Sequence, residues 1–372
     1  MKRSVLCSLV AMALTACQPA SLSTDDPIKI GYIGPLTGEA APYGKDTFNG
    51  TKLAVDQINA NGGIHGRMIE LVTEDGRCNG TDAASAARKL TDIDHVVAII
   101  GGQCSGETLA AAPIAESAET VMISPLSSSP DVTDAGDFIF RDYPSDALKT
   151  AAMAKFFAEE GYEKVALITE NTDFASAFRN ALKEKVGEEK IVFDEVVEPG
   201  TKDFRTLVTR LKDTEFDIFF PNAQTDAVMA AMMEQLREQG LIQQAITHDV
   251  GDSPTLVELA GDAVDGTLVI NVPSAGEGGV FQRQFEEAGY EPQASIAFAA
   301  HAFDAVNVLA KAIESAGTDS TAIRDYLYDI KSYKGIVGNF SFDQNGDVVG
   351  IPYVLKQFKN GEIVKVKDIS VN

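Results

Sequence analysis

The sequence predicts an α/β protein made of two doubly wound lobes with parallel-type sheets. Three observations carry that expectation. From Ile28 onward, short β-branched apolar runs alternate with longer amphipathic ones, the pattern of successive βαβ units. The chain has 372 residues, more than a single hydrophobic core usually serves. The rhythm breaks at residues 138–144 and a fresh βα series follows, which places a crossing between domains there.

Taken in order, the chain begins with Lys2 and Arg3 ahead of an apolar stretch at 5–14, too short for a permanent membrane span and shaped like a signal peptide. Its end, Leu14-Thr15-Ala16-Cys17, resembles the lipobox of bacterial lipoproteins, in which the cysteine carries lipid and becomes the mature N-terminus. The bland alternative is an ordinary signal with a chance cysteine. The polar tract 18–27 suits a flexible tether.

Strands are expected at 28–33, 68–73, 96–100, 121–124, 164–169, 191–197, 216–220, 245–248 and 266–271. Helical spacing falls at 48–59, 82–90, 107–117, 147–160, 174–186, 204–212 and 225–239. The last part changes character, with helices at 280–288, 295–316 and 321–330. Hairpin-like strands at 339–343, 350–358 and 362–366 follow, turned by Asn345-Gly346 and Asn360-Gly361. No later uninterrupted apolar run has the length of a membrane helix.

The formal charge is −24, from 55 acidic and 31 basic residues. That balance repels nucleic acid and offers no basic stripe. Once Cys7 leaves with the signal and Cys17 takes lipid, Cys78 and Cys104 remain. In an exported protein they form either a disulfide, closing a loop of about 25 residues worth roughly 3–4 kcal/mol, or two free buried thiols.

Catalytic and nucleotide motifs are weak. Gly38 to Asp46 has five residues between its glycines and Asp46 where a phosphate loop needs Ser or Thr; Gly31, Gly34 and Gly38 are better read as letting a loop approach a ligand. His65, His95, His248 and His301 have no metal-ligand spacing, and no Gly-x-Ser-x-Gly elbow is present. Glu74-Asp75 reads as a solvated loop. No cofactor, metal or enzymatic activity is expected.

The informative places are strand ends. In Ile99-Ile100-Gly101-Gly102-Gln103-Cys104-Ser105-Gly106-Glu107 an apolar run enters a helix start, where unpaired N–H groups and partial positive charge suit a carboxylate. Ser105 is either an N-cap of that helix or a ligand contact, or both. The turn Leu126-Ser127-Ser128-Ser129 ends the next strand and supplies further amides, carbonyls and hydroxyls. Asp249, after His248, ends a strand of the second series and either pairs with a ligand ammonium or is a solvated loop carboxylate.

These residues carry a family resemblance. Ile30-Gly31-Tyr32-Ile33-Gly34-Pro35-Leu36-Thr37-Gly38 with Tyr43-Gly44, Asp56-Gln57-Ile58-Asn59-Ala60-Asn61-Gly62-Gly63-Ile64 with Gly66, Ile123-Ser124-Pro125, and Asp203-Phe204 leading to Leu207-Val208 and Leu211-Lys212 resemble the periplasmic leucine/isoleucine/valine-binding proteins of branched-chain amino acid ABC transporters. The resemblance implies the type I periplasmic binding protein fold, two α/β lobes joined by three crossings, with 28–142 and 273–344 in the first lobe and 143–272 and 345–372 in the second. It implies a Cys78–Cys104 disulfide. It also implies an amino acid held by Ser105, by Leu126, Ser127 and Ser128, and by Asp249 at the ammonium, with Tyr43 as the aromatic of the first loop. Phe174-Ala175 stands where the family has Tyr-Gly. Gln224 or Thr225 replaces a second tyrosine; Gln224 is taken as the contact. Leu126 is larger than the residue usual there. The implied role is an extracytoplasmic, lipid-anchored, monomeric substrate-binding protein of the periplasm or cell envelope that delivers an apolar amino acid to an inner-membrane permease. The alternative is a sensor of an amide or carboxylate, or an envelope regulator, on the same fold.

Overall fold

The computed structural model describes residues 26–273 and 279–369. The signal segment, most of the tether and Cys17 lie outside the described residues. The first lobe opens with strands β1 (Ile28–Gly34), β2 (Ile69–Asp75), β3 (Ala98–Ile100), β4 (Val121–Ser124) and β5 (Ile139–Arg141), interleaved with helices α1 (Ala41–Ala60), α2 (Gly80–Arg88) and α3 (Ser105–Ser117). The strands form an all-parallel sheet in the order β2-β1-β3-β4-β5.

The chain then crosses into α4 (Asp146–Glu160), β6 (Val165–Glu170), α5 (Asp173–Val186), β7 (Ile191–Val197), α6 (Arg205–Leu211), β8 (Ile218–Asn222), α7 (Asp226–Glu238), β9 (Gln244–Thr247), α8 (Pro254–Ala260) and β10 (Leu268–Asn271). It returns for α9 (Val280–Glu287), α10 (Ile296–Ala316), α11 (Ser320–Asp329) and the small antiparallel sheet β11 (Tyr333–Lys334), β12 (Asn339–Phe342) and β13 (Val348–Val349). A last crossing leads to β14 (Tyr353–Lys359) and β15 (Glu362–Ile369), which complete a second sheet ordered β15-β14-β10-β9-β8-β6-β7. The hairpin β12–β13 spans the expected 344/345 boundary, so the third crossing lies between Val349 and Tyr353. The turn into β15 has positive φ at both Asn360 and Gly361, the geometry of a two-residue hairpin.

Three expectations change. Residues 138–144 are no mere interruption, because β5 forms there and pairs with β4; its arginine hides the strand pattern, yet Arg141 is buried, with Nε and Nη2 on the Asp347 carboxylate and Nη1 on the Ser129 carbonyl. Helix α1 starts at Ala41, not 48, so Tyr43 is a helical residue rather than a loop one. Pro42, Gly44 and Gly50 mask that start in sequence, but a Cβ on Gly44 would meet the Pro35 carbonyl at 2.0 Å and one on Gly50 the Ala299 carbonyl at 2.0 Å, so packing dictates them. Gly31 lies in β1 against Leu90 rather than in a ligand loop. The Gly38–Asp46 stretch is no phosphate loop either: the Asp46 carboxylate accepts from the backbone N–H of Gln293, Ala294 and Ser295 and so fixes the start of α10. Helix α10 is apolar and long enough to cross a bilayer by composition, and 83% of that stretch is buried inside the protein, as a core helix requires.

Candidate functional site

Where the two lobes meet, the carboxyl ends of β3, β4, β8 and β9 converge with the start of α1 on a pocket of about 380 Å³, open to solvent included. This is the position expected for ligands in open α/β sheets. Tyr43, Gln103, Cys104, Ser105, Leu126, Ser128, Phe174, Gln224, Asp249, Val250 and Phe298 line it. All the ligand residues expected from the sequence are therefore brought together except Ser127. The Ser127 hydroxyl is turned into the protein, where it meets Thr108 Oγ1 at 2.6 Å and donates toward the Gly102 and Gln103 carbonyls.

The helix start is built differently from the expected N-cap. Ser105 is the first residue of α3, and Cys104 precedes it. Glu107 reaches back instead: Oε2 accepts from the N–H of Gln103 at 2.9 Å and of Cys104 at 3.1 Å, and Oε1 from the N–H of Cys78 at 2.9 Å, a carboxylate satisfying orphan helix donors. Cys104 is meanwhile tied to Cys78, Cα to Cα 5.3 Å. Ser105 Oγ accepts from the Ser129 N–H at 3.2 Å, which joins the two strand-end turns. Gln103 donates Nε2 to the Ile33 carbonyl while its buried Oε1 has no hydrogen-bond partner.

The apolar wall comes from both lobes. Tyr43 of α1 packs its ring 5.9 Å from that of Phe298 on α10, and its hydroxyl crosses to the second lobe, donating to Asp226 Oδ2 at 2.8 Å. Both residues are buried. Burial pushes the Asp226 carboxyl up to about 6, against the opposing hydrogen bonds of Tyr43 and Ser253. Phe174, at the start of α5, stacks edge-on to His248 with centroids 4.9 Å apart. Gln224 lines the pocket and Thr225 does not; the Gln224 N–H donates to Glu170 Oε2, and Thr225 immediately precedes α7.

Asp249 is no solvated loop carboxylate: it is 3% exposed, and Lys149 Nζ donates to its Oδ1 at 2.6 Å. Lys149, on α4 and wholly buried, also sits 2.8 Å from Asp146 Oδ1. Burial pushes the Asp249 carboxyl up, but the Lys149 ammonium outweighs it and holds the pKa below the ordinary carboxylate range. Asp146, also buried, moves the other way, raised by burial and by its neighbour Asp249 despite Lys149. Burial drives His248 down to about 3, so it is the neutral ring, with Nδ1 accepting from the Val250 N–H and Nε2 facing Asn222 Oδ1 at 3.2 Å. Its 3.6 Å approach to Asp249 is therefore not an ion pair.

Lys149, Asp146, Asp226, Gln103 and Phe298 were not singled out in the sequence. One signal was available for the lysine: Lys149, Met153 and Phe156 share the buried stripe of α4 with Ala152 at helical spacing, and a cation in such a stripe demands buried partners. Among the described residues, no group of three or more His, Cys, Asp or Glu is placed to hold a metal ion.

Comparison with known proteins follows the same lines. The family model described as periplasmic binding protein matches residues 27–362. A Leu/Ile/Val-binding protein homolog of Brucella abortus is 29% identical, covering 97% of this chain and 98% of the relative. A leucine-, isoleucine-, valine-, threonine- and alanine-binding protein of Pseudomonas aeruginosa is 28% identical over 94% of both chains. Among solved structures, a branched-chain amino acid transporter substrate-binding protein of Streptococcus pneumoniae in complex with isoleucine superimposes with TM-score 0.83 at 28% identity, covering 92% of this chain and 99% of that one. A benzoate complex from R. palustris, at 19% identity and TM-score 0.82, shares the fold. With residues 27–362 matched and two α/β lobes joined by three crossings, the chain belongs to the periplasmic binding protein family and has the type I fold of its Leu/Ile/Val-binding relatives.

Proposed function

We propose that the protein is the substrate-binding component of an ABC importer and takes an amino acid with an apolar side chain between its lobes. The carrying observation is the make-up of the pocket wall: Tyr43, Phe174, Leu126, Val250 and Phe298 supply apolar surface, and Ser105, Ser128 and the buried Asp249 carboxylate supply polar groups. A zwitterion with an apolar side chain matches both kinds of surface. Its carboxylate suits the start of α3 and the Ser128 turn, and its ammonium suits Asp249. A ligand lacking either charge leaves buried groups unpaired. The names of the relatives agree with this substrate class, and their role as binding proteins supports a non-enzymatic one.

The lobes comprise about 28–142 with 279–349 and 143–272 with 353–369, the third boundary lying past Val349 because β12 pairs with β13. Closure is a hinge motion about the three crossings, and the closed form is what the permease receives. Cys17 carries the lipid that holds a monomeric protein in the periplasm or cell envelope. A second reading, a sensor of a neutral amide or simple carboxylate, draws on Lys149 already taking one oxygen of Asp249.

A thermal-shift screen of residues 18–372 against amino acids, amides and small carboxylates separates the two. A ligand at 100 times its Kd adds about 2.7 kcal/mol of stability. A shift with leucine, isoleucine or valine that Asp249→Ala abolishes supports the transporter reading. A response to amides or carboxylates alone overturns it.

A further inference from the structure

The polar end of the pocket holds more charge than the ligand contacts alone. Beside Asp249 and outside the pocket lining, Lys149 Nζ lies 2.6 Å from Asp249 Oδ1 and 2.8 Å from Asp146 Oδ1, all three side chains buried. Among the described residues, Lys149 is the one ammonium paired with Asp146 and Asp249. Of the neighbours, His248 faces it from β9 as a neutral ring. Tyr143 from the first crossing and Phe178 from α5 present ring faces, 5.6 and 5.8 Å from Nζ, and the Tyr143 hydroxyl is spent on Asn271 Oδ1. Tyr353 from β14 donates to the Ser145 carbonyl. The adjacent Asp252 is matched by Lys356 at 2.5 Å. One ammonium therefore faces two carboxylates, and the surplus is a single negative charge whose outlet to the pocket is Asp249.

We propose that Lys149 is the positioning and selectivity residue of this site: it pins the Asp249 carboxylate through Oδ1 and cancels one of the two carboxylates, so that the pocket accepts one ligand ammonium and no more. The assignment rests on the zwitterion reading of the pocket. Geometry supports the coupling to the rest of the site, because the backbone N–H of Asp146 donates to the Ser128 carbonyl at 2.8 Å; the turn beside the ligand carboxylate and the lysine that governs the ammonium end are fixed to one helix start.

Without Lys149, two facing carboxylates cannot both ionise, and one holds a proton. A ligand ammonium beside the pair weakens the hold of the second carboxylate on that proton, so binding releases part of it and affinity rises with pH. The test is calorimetric titration of L-leucine, at pH 6 and pH 8, into the wild type, Lys149→Met and the double variant Lys149→Met with Asp146→Asn. The double variant restores the surplus of one negative charge without any lysine and keeps the site foldable should the single variant be unstable. We expect wild-type affinity to change less than about threefold between the two pH values, the single variant to gain at least fivefold from pH 6 to pH 8, and the double variant to bind about as the single one does at pH 6 and to show a flat profile. A single variant with an unchanged pH profile, or a double variant that keeps the pH dependence, overturns the assignment. A wild type that responds to no amino acid overturns the zwitterion reading itself, a failure distinct from loss of the Lys149 effect.

Discussion

The hydrogen bond from Tyr43 to Asp226 joins the two lobes across the pocket, and Tyr43→Phe removes it while leaving the ring that forms the wall. The bond, to Oδ2, is 2.8 Å long and both partners are buried. A hydrogen bond to a charged group contributes about 1.5–3 kcal/mol, and each 1.4 kcal/mol is about tenfold in affinity. Because donor and acceptor sit on different lobes, that energy belongs to the closed form and appears in ligand binding through the closed population. Measured by calorimetry at about pH 7.5, above the value of about 6 to which burial pushes Asp226, Tyr43→Phe should weaken binding by about 10- to 100-fold. Asp226→Asn keeps an acceptor and loses only its charge, so it should cost about 3- to 10-fold. An unchanged Kd in Tyr43→Phe, with a lowered melting temperature of the ligand-free protein, would refute the reasoning: the bond would then exist in every state and discriminate between none.

Other expectations concern the scaffold. Asp142 is buried with His301 Nδ1 3.7 Å from its Oδ2, and burial pushes it up to about 6 against the opposing His301 ring; its proton is bound more tightly folded than unfolded, so its contribution is complete below about pH 4 and is lost as pH rises through about 6. Asp142→Asn should therefore gain about 2–3 kcal/mol over the wild type at pH 8 relative to pH 4, read from urea denaturation; equal curves for the two proteins would contradict it. Gly50→Ala places a methyl against the Ala299 carbonyl, and forcing α1 off α10 should cost about 3 kcal/mol, visible as a lower melting temperature. Cys78→Ser opens the loop closed with Cys104 across a separation of 26 residues and should cost about 3.5 kcal/mol; a stability that does not respond to reductant would count against it.

Much of the fold was legible because parallel strands buried on both faces read as continuous apolar runs, as in Ala98–Ile100 and the Ile218–Phe220 part of β8. Strand ends led from there to Ser105, Ser128 and Asp249, since parallel α/β sheets put their ligands at those ends. What stayed hidden was polar side chains doing buried jobs. Arg141 concealed β5, and Pro42 with two glycines concealed the first turns of α1. Lys149 and Asp226 look like ordinary helix-surface residues until the partners that bury them are placed, and those partners lie 100 and 183 positions away in the chain. Ser127 failed in the opposite sense: one residue in a run of three serines points the other way, and a run of identical hydroxyls does not say which.

The route of the chain has a consequence for biosynthesis. Strand β14 is an interior strand of the second sheet, hydrogen-bonded to β10 on one side and β15 on the other, yet it leaves the ribosome after every element of the first lobe. Until it arrives, β10 has an open edge and Tyr353, Val354, Leu355 and Phe358 have not closed the core they bury. The second lobe cannot be finished until these last strands emerge, because it is interrupted by the return of the chain to the first. Such long-range closure is slow and exposes apolar edges meanwhile. An architecture of this kind postpones the completion of one lobe to the very end of synthesis, so the last hairpin decides when the molecule becomes compact.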